Sequence, residues 1–78
     1  MPLADLIEYV AKRLVDNPDE VRVERVEQPD TIVFQLHVAK DEVGKVIGRR
    51  GRIARALRTI VRAGGARERR RVVLEIVE

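Results

Sequence analysis

The chain opens with apolar side chains at Leu3, Leu6, Ile7, Val10 and Leu14, spaced three and four residues apart. That period puts them on one face of a helix over residues 3–15, with Pro2 at its start, where a missing N–H does no harm. Asn17-Pro18 ends the helix, because proline disfavours helical geometry in the residue before it. The period then falls to two. Val21 and Val23 alternate with charged neighbours and read as a strand, whose pattern slips at Arg25-Val26, where a bulge or the strand end is expected. Pro29-Asp30 is a turn signal. Residues 31–39 make the clearest strand, with Ile32, Phe34, Leu36 and Val38 on one side and Val33, Gln35 and His37 on the other.

Helical spacing returns after Lys40. Asp41 is placed to cap a short helix that buries Val43, Val46 and Ile47. Gly48 and Gly51 interrupt it. A second helix starts near Gly51 and presents Ile53, Ala56, Leu57, Ile60 and Val61 on one face, until Gly64-Gly65 stops it. Arg67 to Arg71 form a basic connection, and Val72, Leu74 and Ile76 alternate along a last strand. The predicted order is helix, strand, strand, helix, helix, strand. Two strands joined by a helical crossover pair in parallel, so the expected fold is α+β: a three-stranded mixed sheet with helices on one face.

Composition narrows the chemistry. Seventy-eight residues suit one domain, here residues 1–78, with one modest core. With no cysteine, disulfides, thiolate metal sites and thiol catalysis drop out together. No apolar run nears the roughly 18 residues of a membrane span, and no secretory leader is visible, so a cytoplasmic setting is expected. The net charge of +3 hides a division along the chain. Residues 1–39 carry −4, whereas residues 40–71 carry +9. One cationic face aimed at a polyanion is the natural consequence. Thirteen of the sixteen basic residues are arginine, whose guanidinium matches phosphate in a bidentate way.

The candidate chemistry lies at Gly48-Arg49-Arg50-Gly51. A G-x-x-G pair alone is uninformative, since about 0.4 are expected by chance in a chain of this length. Its setting makes it specific. The pair joins two amphipathic helices, permits a tight turn, and lets a phosphodiester approach without meeting a Cβ. The N-terminus of the following helix adds partial positive charge, and Arg49 and Arg50 supply long-range attraction. Arg52, Arg55, Arg58 and Arg62 then follow opposite the apolar stripe; Arg52 and Arg55 lie nearest the loop.

The segment Val46-Ile47-Gly48-Arg49-Arg50-Gly51-Arg52-Ile53 resembles the signature of the KH domain, whose loop clamps about four nucleotides. The element order is similar to the type II arrangement. With Val43-Gly44-Lys45 before the loop and Ala54 to Ile60 after it, essentially the whole chain resembles the small bacterial single-KH proteins of the KhpA family. The resemblance implies a non-catalytic binder of single-stranded RNA, an RNA chaperone or regulator that self-associates and partners a KhpB-like KH protein. In that family the pair is linked to cell shape and cell-wall biogenesis. Carried onto this sequence, the binding residues are Lys45, Val46, Ile47, Gly48, Arg49, Arg50, Gly51, Arg52, Ile53 and Arg55. One departure is Ala54, where many KH domains carry a large aliphatic residue three positions after the second glycine.

Other readings stand beside this one. The acidic N-terminal third and small core also suit a dimerisation or protein-interaction module, and single-stranded DNA is an alternative ligand. His37 is the only histidine, with no serine or cysteine to pair with, so neither a catalytic site nor a metal is expected. No cofactor or small-molecule substrate is implied. Tyr9 and Phe34 are the only aromatics, which argues against base-stacking platforms.

Overall fold

The computed structural model describes residues 2–77. Helix α1 (Leu3–Leu14) leads into strand β1 (Arg22–Glu27) and strand β2 (Thr31–His37). Helix α2 (Val43–Ile47), helix α3 (Arg52–Gly64) and strand β3 (Arg71–Val77) complete the chain. The sheet order is β1-β2-β3, with β1 antiparallel and β3 parallel to the central β2. This is the expected α+β arrangement. Helix α1 stops at Leu14, with Val15 already extended, and β2 stops at His37, two residues before the alternating pattern runs out.

Strict alternation explains the core. On β2, Ile32, Phe34 and Leu36 are buried, and Leu74 joins them from β3. Ile7 and Ala11 of α1, Val46 of α2, and Leu57 and Val61 of α3 cover them from one side. Burying such side chains contributes about 1.5–3 kcal/mol each, which is the main force holding a domain of this size. The opposite sheet face carries Val26, Val33 and Val73 in one cross-strand row and Glu24, Gln35 and Glu75 in the next.

Three sequence expectations change. The slip at Arg25-Val26 is neither a bulge nor a strand end, because β1 pairs without interruption from Arg22 opposite His37 to Glu27 opposite Ile32. Val26 simply faces the open side, opposite Val33. Arg25 then lies on the core side of an edge strand, where its guanidinium sits 5.9 Å from the centre of the Phe34 ring. A long side chain at such a rim can cover apolar surface and still reach water. Asp41 provides no cap: the residue preceding α2 is Glu42, and no side chain caps that helix. On α3 the buried stripe is Ala54, Leu57 and Val61, whereas Ala56 and Ile60 are exposed. The helix is turned so that a narrower arc than the sequence pattern allows meets the sheet.

No helix among the described residues is long and apolar enough to cross a membrane.

Candidate nucleic-acid interface

The loop between α2 and α3 is built from backbone conformations that few residues accept. Helix α2 ends when the Gly48 N–H donates to the Gly44 carbonyl at 2.9 Å. Gly48 then adopts φ 79°, ψ 173°, a region open essentially to glycine alone. The chain turns back as the Gly51 N–H donates to the Gly48 carbonyl at 3.1 Å. Gly51 is left-handed at φ 74°, ψ 16°. Between them Arg50 is left-handed as well, at φ 58°, the one positive value outside glycine among the described residues. A left-handed non-glycine residue costs roughly 1–2 kcal/mol. Such strain is held where the surroundings over-determine it.

The two glycines are therefore not equivalent. A Cβ on Gly48 would lie 2.6 Å from Ile53 Cγ1 and 2.9 Å from Ile53 Cβ. The second of these atoms is fixed to the backbone, so no rotamer change clears the overlap. A Cβ on Gly51 would meet nothing within 4 Å. Gly48 is required by both conformation and contact, Gly51 by conformation alone.

Charge is arranged against the loop's own stability. Helix α3 begins at Arg52 with no capping side chain and no acidic residue in its first turn. Arg49, Arg50 and Arg52, all exposed, crowd that positive helix end. A cation placed there costs about 0.3–1 kcal/mol, by the same dipole effect that would hold an anion. None of these arginines, nor Arg55 or Arg58, makes an ion pair among the described residues. A phosphate entering this space would relieve the repulsion and find unfilled donors.

The structure separates the predicted site residues. Gly48, Arg49, Arg50, Gly51, Arg52 and Arg55 lie at the surface from the loop into α3, with Ile47 and Ile53 half-buried beside them. Val46 is wholly buried and belongs to the core. Its side chain supports the loop from behind and offers no contact surface. Ala54 is also core, so the departure at that position fills the interior rather than lining a groove. Lys45 points elsewhere: its ammonium bonds Asp16 at 2.5 Å and Glu42 at 3.2 Å. Those bonds, Asp16 first, raise its pKa above the ordinary lysine value.

Glu42 is the element that sequence reasoning missed. It is buried, and its carboxylate accepts from the Asp16 N–H, from the Asn17 N–H at 2.9 Å and from Asn17 Nδ2 at 2.8 Å. With Lys45 as a further donor, it ties the turn after α1 to the start of the loop-bearing helix. The hydrogen bond from Asp16 is the chief cause that lowers its pKa to about 2, against the opposing effect of burial. Nothing local could reveal this, because the partners lie 25 and 26 residues away.

Two outcomes follow from this geometry. Gly48→Ala is expected to destabilise the fold by at least about 1 kcal/mol more than Gly51→Ala, since overpacking adds to backbone strain; equal urea midpoints would contradict the assigned contact. Glu42 has a depressed folded pKa, so its contribution is complete above the ordinary value of 4.5 and disappears as pH falls toward about 2. Glu42→Gln should lower the melting temperature at pH 7 and flatten the loss of stability between those two values. An acid-melting curve identical to that of the parent chain would refute this.

Comparison with known proteins gives the family. Residues 4–76 match the family described as KhpA/KhpB, KH domain. A relative from Aquifex aeolicus, named RNA-binding protein KhpA, is 57% identical over 76 residues, covering 97% of this chain and 96% of its own. Relatives of the same name from Clostridium acetobutylicum and Borreliella burgdorferi are 48% and 49% identical. The first alignment covers 96% of this chain and 100% of the relative, the second 95% and 90%. No solved structure matches. The loop between two short helices, the three-stranded mixed sheet and this similarity along nearly the whole chain place the protein in the KhpA/KhpB family of KH domains.

Proposed function

We propose that this chain is a non-catalytic binder of single-stranded RNA in which Gly48 to Gly51 hold the phosphodiester backbone. The observation that carries the reading is the set of arginines, Arg49, Arg50 and Arg52, that have no ion-pair partner among the described residues and sit at the uncapped start of α3. That arrangement is unfavourable for the isolated protein and becomes favourable when an anion arrives. The relatives' shared name supports RNA as the anion. Gly48 brings the backbone of the loop within reach of the strand, because no side chain stands in the way. Ile47 and Ile53 offer aliphatic surface for bases, and Arg52 and Arg55 extend the phosphate contact along the first turn of α3. Lys45 and Val46 act indirectly, by holding α2 in place.

The finer role belongs to the same reading. An RNA chaperone or post-transcriptional regulator in the cytoplasm fits a small domain whose attraction is mostly electrostatic and whose sequence preference is weak. A KhpB-like partner is included because the family description joins the two proteins. Self-association is included on the resemblance alone.

Replacing both Arg49 and Arg50 with Asp should weaken binding of a short single-stranded RNA by at least about a hundredfold, leaving the thermal melt unchanged or slightly raised. In the parent chain the affinity should fall steeply with salt, by about 0.7 log units per tenfold change for each phosphate contacted. Fluorescence anisotropy measures both. A folded double variant with parental affinity would defeat the assigned role of the loop.

A further inference from the structure

We propose that the nucleic-acid path continues beyond the loop to a second phosphate-binding position formed by Arg58, Arg62 and Arg71. The footprint would then exceed the roughly four nucleotides that a G-x-x-G loop clamps. The inference rests on the function proposed above and extends it along the molecule.

Three observations converge on this place. Arg52, Arg55, Arg58 and Arg62 are spaced three, three and four residues apart, so they form one row along α3. All four are exposed, and the helix contains no acidic residue. Like charges at such spacing cost about 0.2–0.5 kcal/mol per pair, an expense that an exposed helix face does not need for folding.

The second observation is convergence from two elements. A cavity of about 200 Å³ opens between α3 and the outer edge of β3, and Arg58, Arg62 and Arg71 all line it. Val72, Val73 and Leu74 form the rest of its wall. Arg71 belongs to a different element, so its presence beside Arg62 is a product of the fold rather than of helical periodicity. Strand β3 is at the edge of the sheet, which leaves backbone groups on that side unpaired.

The third observation is which arginines are already engaged. Arg70 bonds Glu27 at 2.7 Å and the Gln28 carbonyl at 3.4 Å. Glu27 responds with a lowered pKa, caused first by that Arg70 bond. Arg25 lies 3.4 Å from Glu27 and 3.9 Å from Glu68. Glu68 is the one acidic residue lining the adjoining cavity of about 360 Å³, where Arg62 and Arg71 appear again, and it faces Arg25. Arg58, Arg62 and Arg71 have no carboxylate partner among the described residues. In the basic segment after α3, Arg70 braces the fold, while Arg67, Arg69 and Arg71 have no carboxylate partner among the described residues, and of these three it is Arg71 that lines the two cavities.

The reach is consistent with a longer strand. From Arg52 to Arg62 the helix rises about 15 Å. A stacked strand advances about 3.4 Å per nucleotide, so this distance corresponds to about four further nucleotides.

The test compares a four-nucleotide and a ten-nucleotide oligouridylate on the full chain and on an Arg62→Gln/Arg71→Gln variant. Thermal melts confirm that both are folded. The parent chain should gain more than the roughly sevenfold that extra registers alone give a four-nucleotide site on the longer RNA. The variant should bind the short RNA within twofold of the parent and lose about tenfold on the long one. Its salt slope on the long RNA should fall by about 1.4, the value for two phosphate contacts. Should the melt of that variant drop, Arg62→Lys/Arg71→Lys keeps the charge and should keep the parental slope. Parental affinity and slope on the long RNA in the glutamine variant would overturn the proposal. The Arg49→Asp/Arg50→Asp variant separates the two levels: it should lose both RNAs if the loop is the primary site, whatever Arg62 and Arg71 do.

Discussion

The close approach of the Gly48 backbone to the Ile53 side chain is the constraint on which the arrangement turns. It brings the end of α2 within van der Waals reach of the first turn of α3, so only four residues separate the two helices. Once that contact exists, the chain must reverse through Gly48, Arg50 and Gly51, all with positive φ. The turn in turn presents Arg49 and Arg50 outward and leaves the start of α3 without a capping side chain. Packing, backbone conformation and exposed charge are therefore one feature. A side chain at Gly48 would disturb all three together, whereas at Gly51 it would meet only the conformational cost.

Charge in the rest of the molecule is distributed so that this feature stays free. The acidic N-terminal third does not neutralise the loop. Asp16 and Glu42 take Lys45, and Glu27 takes Arg25 and Arg70. Each of these pairs joins or flanks a structural seam: the turn after α1 with α2, or the β1 edge with the connection into β3. Exposed pairs contribute little to stability, and their main effect here is to fix which cations remain available. Among the described residues, those without a carboxylate partner include the loop arginines, the row along α3 and Arg67, Arg69 and Arg71, besides Arg13 and Lys40 near the other elements.

Much of the fold was readable from periodicity. The clean alternation of Ile32, Phe34 and Leu36 announced the central strand, and the glycine pairs marked both ends of α3. What periodicity could not supply was the orientation of an element relative to its neighbours. Arg25-Val26 broke the pattern because an edge strand tolerates a long charged side chain on its core side. Ile60 shared the apolar face with Leu57 yet is 38% exposed, because the sheet covers only the arc centred on Ala54, Leu57 and Val61. Glu42 carries no local signal of its role, since the backbone groups that bond it lie 25 and 26 residues away. The candidate site was legible as a motif in Gly48 to Gly51, but burial alone removes Val46 from its surface, and pairing engages Lys45. No local pattern could have told Arg70 from Arg71.

The central claim is that the loop and the adjoining face of α3 form the RNA-binding surface. Backbone amide shift mapping by NMR, with a ten-nucleotide single-stranded RNA titrated into the isotopically labelled chain, tests it most directly. The account predicts that the largest perturbations fall at Gly48 to Ile53, with Arg55, Arg58, Arg62 and Arg71 following, and that Val26 and Val33 on the open sheet face stay still. Perturbations centred on that sheet face, with the loop amides unmoved, would contradict it.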